Sequence, residues 1–109
     1  MKTGFVYIMS NKRRTTLYIG VTSDIESRVL QHKCGMSNFT NRYNLHDLVY
    51  FEEVQGMQNA IDREKQLKNW HKDWKWNLVK EQNTDLVDLS LDWFTDTEIT
   101  DFKEFNKYE

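Results

Sequence analysis

Two tyrosines and one glycine near the start of the chain have the spacing of a site built on a β-hairpin. Tyr7 lies in the apolar run of residues 4–10, and Tyr18 and Gly20 lie in the β-branched run of residues 15–21. Because side chains alternate along a strand, Tyr18 and Gly20 share one face, and Tyr7 faces the same way when its neighbours take the core face. A glycine beside a tyrosine leaves space for a phosphate to approach the backbone. Two tyrosines packing across an ordinary hairpin would give the same pattern.

Arg28 and His32 are the next pair with a chemical use. They lie four residues apart in a predicted helix, so their side chains project from the same face. A guanidinium group there can clamp a phosphate, and an imidazole can transfer a proton. A solvated polar helix face explains the same two residues without any function.

Glu64 interrupts the apolar stripe of a second predicted helix. Glu64 lies among the apolar residues Ala60, Ile61 and Leu67, on a helical face that consists of Met57, Ala60, Ile61, Glu64, Leu67, His71 and Trp74. A carboxylate directed toward an apolar face costs free energy unless a cation or a donor meets it. Lys68, one turn further on, would provide an ordinary ion pair. A divalent ion held by one carboxylate, water and phosphate oxygens is the functional alternative, since magnesium accepts few protein ligands.

Capping signals and periodicity predict the elements that must position these side chains. Ser23 and Glu26 form a capping-box pattern for a helix over about 24–33, and Gly35 is its predicted stop. Residues 36–46 are polar and asparagine-rich, which is typical of a loop. The remaining predicted elements are a strand over 48–54, a helix over about 58–70, and a helix over about 73–82 that carries Trp74, Leu78 and Val79 inward.

The last part of the chain differs from the rest in charge. The 109 residues have a formal net charge of -2. Residues 1–80 hold 13 basic and 8 acidic side chains, whereas residues 81–109 hold 2 basic and 9 acidic ones. The sequence therefore predicts a basic domain over 1–85, able to approach a polyanion, and an acidic, aromatic extension over 86–109 docked on it. Thr95 and Glu98 predict a short helix in this extension, bearing Ile99, Phe102 and Phe105.

Composition also excludes several classes of protein. Cys34 is the only cysteine, so no intramolecular disulfide can form, and no Cys/His cluster has the spacing of a zinc site. The apolar runs are too short for a signal peptide or a membrane span. These features predict a cytoplasmic protein with no membrane partner.

Basic and aromatic side chains outside these motifs are candidates for substrate binding. They contact phosphates without reading a base sequence, although a solvated lysine-rich surface would have the same composition. The candidates are Arg13, Arg14, Lys33, Arg42, Tyr43 and Lys68.

Order and spacing together connect these residues to a known family. The succession Phe5-Val6-Tyr7, Tyr18-Ile19-Gly20, Arg28, His32 and Glu64 resembles the GIY-YIG nuclease family, although the first triplet keeps only its tyrosine. The stretch around Glu64, which continues to Trp70 and Trp74-Lys75, is similar to the small stand-alone bacterial, YhbQ-like branch. The resemblance covers residues 4–93.

The resemblance implies a small α/β (α+β) fold, with a three-stranded antiparallel sheet flanked by helices and a C-terminal helical extension. It also implies metal-dependent hydrolysis of DNA, as in repair or recombination. By this resemblance, Tyr7 would orient or deprotonate the attacking water, and His32 would assist proton transfer. Tyr18 would contact the scissile phosphate, and Gly20 would leave space for it. Arg28 would offset the charge of the transition state, and Glu64 would bind one Mg²⁺ or Mn²⁺. Asn77 is a weaker candidate by separation from Glu64.

Two other classes of function fit the same sequence. A nucleic-acid-binding module would keep these residues but turn over little substrate. A protein-interaction module would use the acidic tail, through Trp93, Phe94, Phe102 and Phe105, to bind a partner or a second copy of the chain. The tail would also mask the basic face if it lay across it.

Overall fold

A three-stranded antiparallel sheet lies at the centre of the protein. The computed structural model describes residues 2–106. The elements in chain order are β1 (Thr3–Ser10), β2 (Leu17–Thr22), α1 (Ile25–Lys33), α2 (Asn38–Arg42), β3 (Asp47–Gln55), α3 (Met57–Lys68), α4 (Lys72–Gln82) and α5 (Asp96–Asn106). The strand order is β2-β1-β3, so β1 is the central strand. This architecture confirms the predicted α+β fold.

Both faces of β1 are covered, which explains why its sequence is almost continuously apolar. Val6 and Ile8 are buried in one cluster, which also contains residues of α3 and α4. Tyr7 and Met9 are buried in a second cluster on the opposite face, with Val29 of α1. The site residue Tyr7 is therefore part of a packed core layer.

Helix α1 begins one residue later than its capping signal predicts. Asp24 is the N-cap, and its carboxylate accepts hydrogen bonds from the Ser27 backbone N–H at 3.2 Å and from the Ser27 hydroxyl at 2.8 Å. The predicted box of Ser23 and Glu26 is therefore wrong, because Asp24 occupies the position that a cap requires. Gly35 ends the helix as predicted, with a φ of 73° that suits glycine.

The predicted loop over 36–46 contains the short helix α2. Asparagine and threonine are poor helix formers, so intrinsic propensity does not signal this helix. Its Thr40 is fully buried, and the following Leu45 is also buried. Tertiary packing therefore accounts for α2.

The apolar stripe that begins on α3 does not continue into α4. Helix α3 ends at Lys68, and His71 is the N-cap of α4. Trp74 is consequently 55% exposed, packing edge-on against Trp70 and His71, so its predicted inward position is wrong. The prediction was wrong because it extended one helical periodicity across the break between α3 and α4. Val79 is buried as predicted.

The segment before α5 packs along β3 through one buried carboxylate. Asp88 accepts hydrogen bonds from the Lys33 ammonium at 2.7 Å, from the Leu48 backbone N–H at 3.1 Å and from the Ser90 hydroxyl at 2.7 Å. Burial would raise the pKa of Asp88, but the hydrogen bonds from Lys33 and Ser90 lower it. Asp88 therefore stays ionised and ties the extension to α1 and β3.

The aromatic residues of the extension divide into packed and exposed groups. Trp93 packs edge-on against Phe51 at a ring distance of 5.7 Å, and Phe94 joins the same cluster. Thr95 caps α5 as predicted, accepting from the Glu98 backbone N–H at 3.0 Å. Phe105 is 80% exposed, so its ring takes no part in this packing. Residues 107–109 of the predicted extension lie outside the described residues. Within 2–106, no helix is long and apolar enough to cross a membrane.

Candidate active site

A chain of hydrogen bonds links the central strand to α1 and α2. The Tyr7 hydroxyl lies 2.8 Å from His32 Nε2, and His32 Nδ1 lies 2.8 Å from the Thr40 hydroxyl. All three side chains are almost completely buried. Each ring nitrogen of His32 thus has one hydroxyl partner, and the imidazole is fixed in orientation.

Gly20 is the cross-strand partner of Tyr7. A Cβ at this position would overlap Cζ and the hydroxyl oxygen of Tyr7. The predicted space for a phosphate beside Gly20 is therefore filled by the Tyr7 ring, and that rationale was wrong. The absence of a side chain at Gly20 lets the Tyr7 ring lie against β2 and reach His32.

A second set of contacts extends the buried cluster toward the surface. The Tyr18 ring lies 5.7 Å from His32 and 5.7 Å from Phe39. Phe39 in turn contacts Tyr43 at 5.0 Å, and both of these rings are about half exposed. Tyr18 is thus at the junction between the buried pair, Tyr7 and His32, and an accessible aromatic surface.

Burial, with smaller contributions from nearby charges, keeps Tyr7 and His32 neutral near pH 7. Burial raises the pKa of Tyr7, and the neighbouring Tyr18 and Glu64 raise it further, against a lowering effect of Arg28. Burial also lowers the pKa of His32 to about 4, with additional lowering from the positive charges of Arg28 and His46. Arg28 is exposed, so its guanidinium group acts on both side chains from the solvent edge.

We expect this neutral histidine to make stability depend on pH. An unfolded histidine binds its proton near pH 6.5, whereas His32 resists protonation to about pH 4. The contribution of neutral His32 to the free energy of unfolding is therefore fully present above pH 7. As the pH falls from 6.5 to 4, this contribution is lost, and the free energy of unfolding decreases by about 2 kcal/mol. Urea denaturation of wild type and His32→Gln at pH 7 and pH 4 isolates the His32 contribution. His46 and the carboxylates titrate in both proteins, so their effects cancel in the comparison. Parallel pH dependence in the two proteins would contradict it.

Glu64 is at the edge of the cluster and has the ordinary partner that the sequence allowed. Its side chain is 14% exposed, and its carboxylate lies 3.3 Å from the Lys68 ammonium. Its negative charge also acts on Tyr7. An i,i+4 pair with a half-exposed lysine contributes only a few tenths of a kcal/mol, so a stronger cation can displace Lys68.

The donor set at Glu64 fits a hard divalent ion with few protein ligands. Among residues 2–106, no three His, Cys, Asp or Glu side chains come together as a metal-binding group. This excludes a site of zinc type within those residues, because zinc takes three or four such ligands. A single carboxylate fits magnesium or manganese, which can complete their shells with water and phosphate oxygens.

The residues of this site lie within a stretch that matches a known protein family. A family model described as the GIY-YIG catalytic domain matches residues 3–77. The chain belongs to the GIY-YIG family. The match includes Tyr7, Tyr18, Arg28, His32 and Glu64, and it places the chain in a nuclease family.

Several small proteins resemble this GIY-YIG chain along most of their length. A UPF0213 protein of Syntrophus aciditrophicus is 31% identical over 83 residues, covering 74% of this chain and 94% of the relative. A UPF0213 protein of Haloquadratum walsbyi is 32% identical, covering 75% and 91%. A third, of Staphylococcus haemolyticus, is 29% identical, covering 75% and 100%. The relatives support the predicted small, YhbQ-like branch. No solved structure gives a significant match.

Two basic residues predicted to bind substrate make contacts that hold the GIY-YIG fold together. The Arg14 guanidinium donates to Asp47 at 2.9 Å and to the Leu86 carbonyl at 2.8 Å. The Lys33 ammonium donates to Asp88 at 2.7 Å. Both side chains are largely buried in these contacts. A direct phosphate contact by Arg14 or Lys33 would require these contacts to be released.

The other predicted substrate residues are more accessible in the GIY-YIG domain. Arg13 is exposed and lines a cavity of about 330 Å³ together with Tyr43. The Arg42 guanidinium lies over the Tyr43 ring at 5.8 Å. Lys68 is half exposed, and its ammonium group forms an ion pair with Glu64. Asn77 is exposed on α4, where it lines a cavity with Trp76 and Lys80. None of Tyr7, Tyr18 and His32 lines this cavity.

Thr40 and Phe39 are the site residues that sequence reasoning missed. Both lie in α2, inside the predicted loop. Their only sequence signal was the pair of aromatic residues in a polar stretch, Phe39 and Tyr43, and nothing in the spacing connects Thr40 with His32.

Gly20→Ala is expected to destabilise this GIY-YIG domain. The new methyl group would overlap the Tyr7 ring, which cannot move because it is buried and hydrogen-bonded to His32. Overpacking of this kind costs about 1–3 kcal/mol. In a Tyr7→Leu background the cost of Gly20→Ala should fall below about 1 kcal/mol, since the overlapping ring atoms are gone. A double-mutant cycle of urea unfolding checks this, and equal costs in both backgrounds would contradict it.

Proposed function

We propose that the chain is a metal-dependent endonuclease that hydrolyses DNA phosphodiester bonds. The observation that carries the proposal is the buried Tyr7–His32 pair. It opens through Tyr18 toward the surface, and the charges of Arg28 and Glu64 act on it. Membership in a nuclease family supports it independently. A protonated hydroxyl, a fixed imidazole, a guanidinium and a carboxylate are together suited to phosphoryl transfer.

Tyr7 and His32 would manage the proton of the attacking water. Because the pKa of Tyr7 is raised by burial, its hydroxyl is protonated at neutral pH. Tyr7 can accept a hydrogen bond from water while its own proton is directed at His32 Nε2, 2.8 Å away. It therefore orients the nucleophile, and it can take a proton only as it passes one to His32.

Tyr18 and Arg28 would contact the phosphate. Tyr18 is only partly buried and lies beside Tyr7 at a ring distance of 6.4 Å. Arg28 is exposed at the same edge and is always charged. A bidentate guanidinium can offset the extra charge that the phosphoryl group acquires in the transition state. Gly20 acts through Tyr7, by leaving room for its ring.

Glu64 would hold one Mg²⁺ or Mn²⁺ after release of Lys68. The bound ion supplies Lewis-acid stabilisation of charge on the phosphate. Arg13, Arg42 and Tyr43 would add contacts to the DNA backbone and bases from α2 and the β1–β2 turn. Shape and charge, without base-specific contacts, would then govern recognition. A cytoplasmic role in DNA repair or recombination is part of this proposal.

The proposal is tested by incubating wild-type protein with labelled single-stranded, duplex, flap and branched DNA. Reactions contain Mg²⁺, Mn²⁺ or excess EDTA. Internal cleavage of at least one substrate with a divalent ion, and none with EDTA, is the expected result. No cleavage of any substrate, with DNA binding that is indifferent to metal, would overturn it and favour the nucleic-acid-binding module. Absence of both cleavage and binding would favour the protein-interaction module.

A further inference from the structure

Thr40 is positioned to control the proton on His32. Its hydroxyl oxygen lies 2.8 Å from His32 Nδ1, and its side chain is fully buried in α2. The same oxygen lies 3.4 Å from the Ser37 backbone carbonyl. A carbonyl oxygen can only accept, so Ser37 gives the Thr40 hydroxyl proton an acceptor other than His32.

One pattern of donors and acceptors around the imidazole gives both the Tyr7 and the Thr40 hydroxyl protons an acceptor among these contacts. With its proton directed at Ser37, Thr40 offers a lone pair to His32 Nδ1, so Nδ1 carries the ring hydrogen and donates it. Nε2 of a neutral imidazole is then unprotonated. The Tyr7 hydroxyl, 2.8 Å from Nε2, must donate to it. In the opposite tautomer, Nε2 would carry the hydrogen and donate it to the Tyr7 oxygen. His32 could then not accept the Tyr7 hydroxyl proton.

The geometry points to Thr40 as a positioning residue that holds His32 in the Nδ1–H tautomer, so that Nε2 can accept the proton of Tyr7. This inference rests on the proposed function. In the step it serves, water gives one proton to the Tyr7 oxygen as Tyr7 gives its own to Nε2, and hydroxide forms the new bond to phosphorus. The bond to the leaving oxygen breaks, and that oxygen takes a proton from solvent. The imidazolium later releases its proton through Tyr7 to solvent.

Thr40 suits both protonation states of His32. Nδ1–H donates to the Thr40 hydroxyl whether the ring is neutral or charged, so no partner has to rotate during the step. Besides burial, the positive charge of Arg28 on α1, and that of His46 before β3 when His46 is protonated, disfavours the charged ring. A DNA phosphate bound at Arg28 would offset one of these positive charges and favour transfer of the proton to His32.

The experiment compares wild type, Thr40→Val and Thr40→Ser. The tautomer of His32 is read from ¹⁵N chemical shifts of histidine-labelled protein at pH 7. We expect the Nδ1–H tautomer in wild type and Thr40→Ser, and a shift toward Nε2–H in Thr40→Val, which cannot accept from Nδ1. Where cleavage is measurable, Thr40→Val should lower kcat about 10–100-fold with KM nearly unchanged, and Thr40→Ser should recover most of it.

Each outcome bears on the inference separately from the nuclease activity. An Nε2–H tautomer in wild type would overturn it even if the protein cleaves DNA, and this result needs no variant to fold. An Nδ1–H tautomer that persists in Thr40→Val, with unchanged kcat, would also overturn it. A protein that cleaves no DNA but shows the expected tautomers would contradict the proposed function and leave the assignment of Thr40 supported.

Discussion

Glu64→Gln is expected to reduce the single-turnover rate of DNA cleavage about 10³-fold, because the amide cannot replace a carboxylate as a ligand for Mg²⁺. A loss of this size corresponds to about 4 kcal/mol of transition-state stabilisation. The fold should be retained, since the substitution removes only an i,i+4 pair with Lys68. Rates at saturating protein concentration, over a range of Mg²⁺ concentrations, measure the effect.

Asp62→Asn is the matched control for this variant. Asp62 lies on the same helix, is exposed, and accepts a hydrogen bond from Gln58 at 3.0 Å. The substitution removes the same charge from α3 at an exposed position. We expect cleavage within about twofold of wild type, as is usual for an exposed surface substitution. Equal losses in both variants would mean that general electrostatic attraction, and not a metal ligand, explains the effect of Glu64.

Tyr7→Phe is expected to lower the cleavage rate about 10²–10⁴-fold, the usual range for loss of a positioned proton-transfer group. The ring keeps its packing, but His32 Nε2 loses its partner at 2.8 Å. Leaving this buried acceptor unpaired should cost about 1–3 kcal/mol of stability. Circular dichroism and urea unfolding establish that the variant is folded before its cleavage rate is measured.

Tyr50→Phe provides the control for removing a buried tyrosine hydroxyl. Tyr50 is 6% exposed in the cluster on the opposite face of the sheet, and its hydroxyl donates to Glu52 at 3.0 Å. Burial and the adjacent Glu52 raise the pKa of Tyr50 to about 12. This variant should lose some stability and retain its cleavage rate. A comparable loss of cleavage in both tyrosine variants would indicate that instability, and not proton transfer, causes the effect of Tyr7→Phe.

Local alternation was sufficient to predict which residues share a face of the sheet. The two-residue period of strands placed Tyr7 with Tyr18, and they are 6.4 Å apart between ring centroids. The same rule did not predict the burial of Tyr7, because that depends on α1 covering the sheet. It also could not show that the Tyr7 ring occupies the space beside Gly20, since strand register is a tertiary property.

Residues whose roles depend on distant partners could not be assigned from the sequence. Lys33 looked like a basic side chain in solution, but its partner Asp88 is 55 residues further along the chain. Thr40 becomes part of the site only because α2 packs against His32. Charge and residue type are local properties, whereas burial and pairing are set by the fold.

The most direct test of the catalytic site is one cleavage experiment on a single labelled DNA substrate. Wild type, Glu64→Gln, Tyr7→Phe, Asp62→Asn and Tyr50→Phe are compared at equal concentration, all shown to be folded, with Mg²⁺ and with EDTA. We predict Mg²⁺-dependent cleavage by wild type and both control variants, and its loss in Glu64→Gln and Tyr7→Phe. Cleavage at the wild-type rate by those two variants would contradict a catalytic site at Tyr7, His32, Arg28 and Glu64.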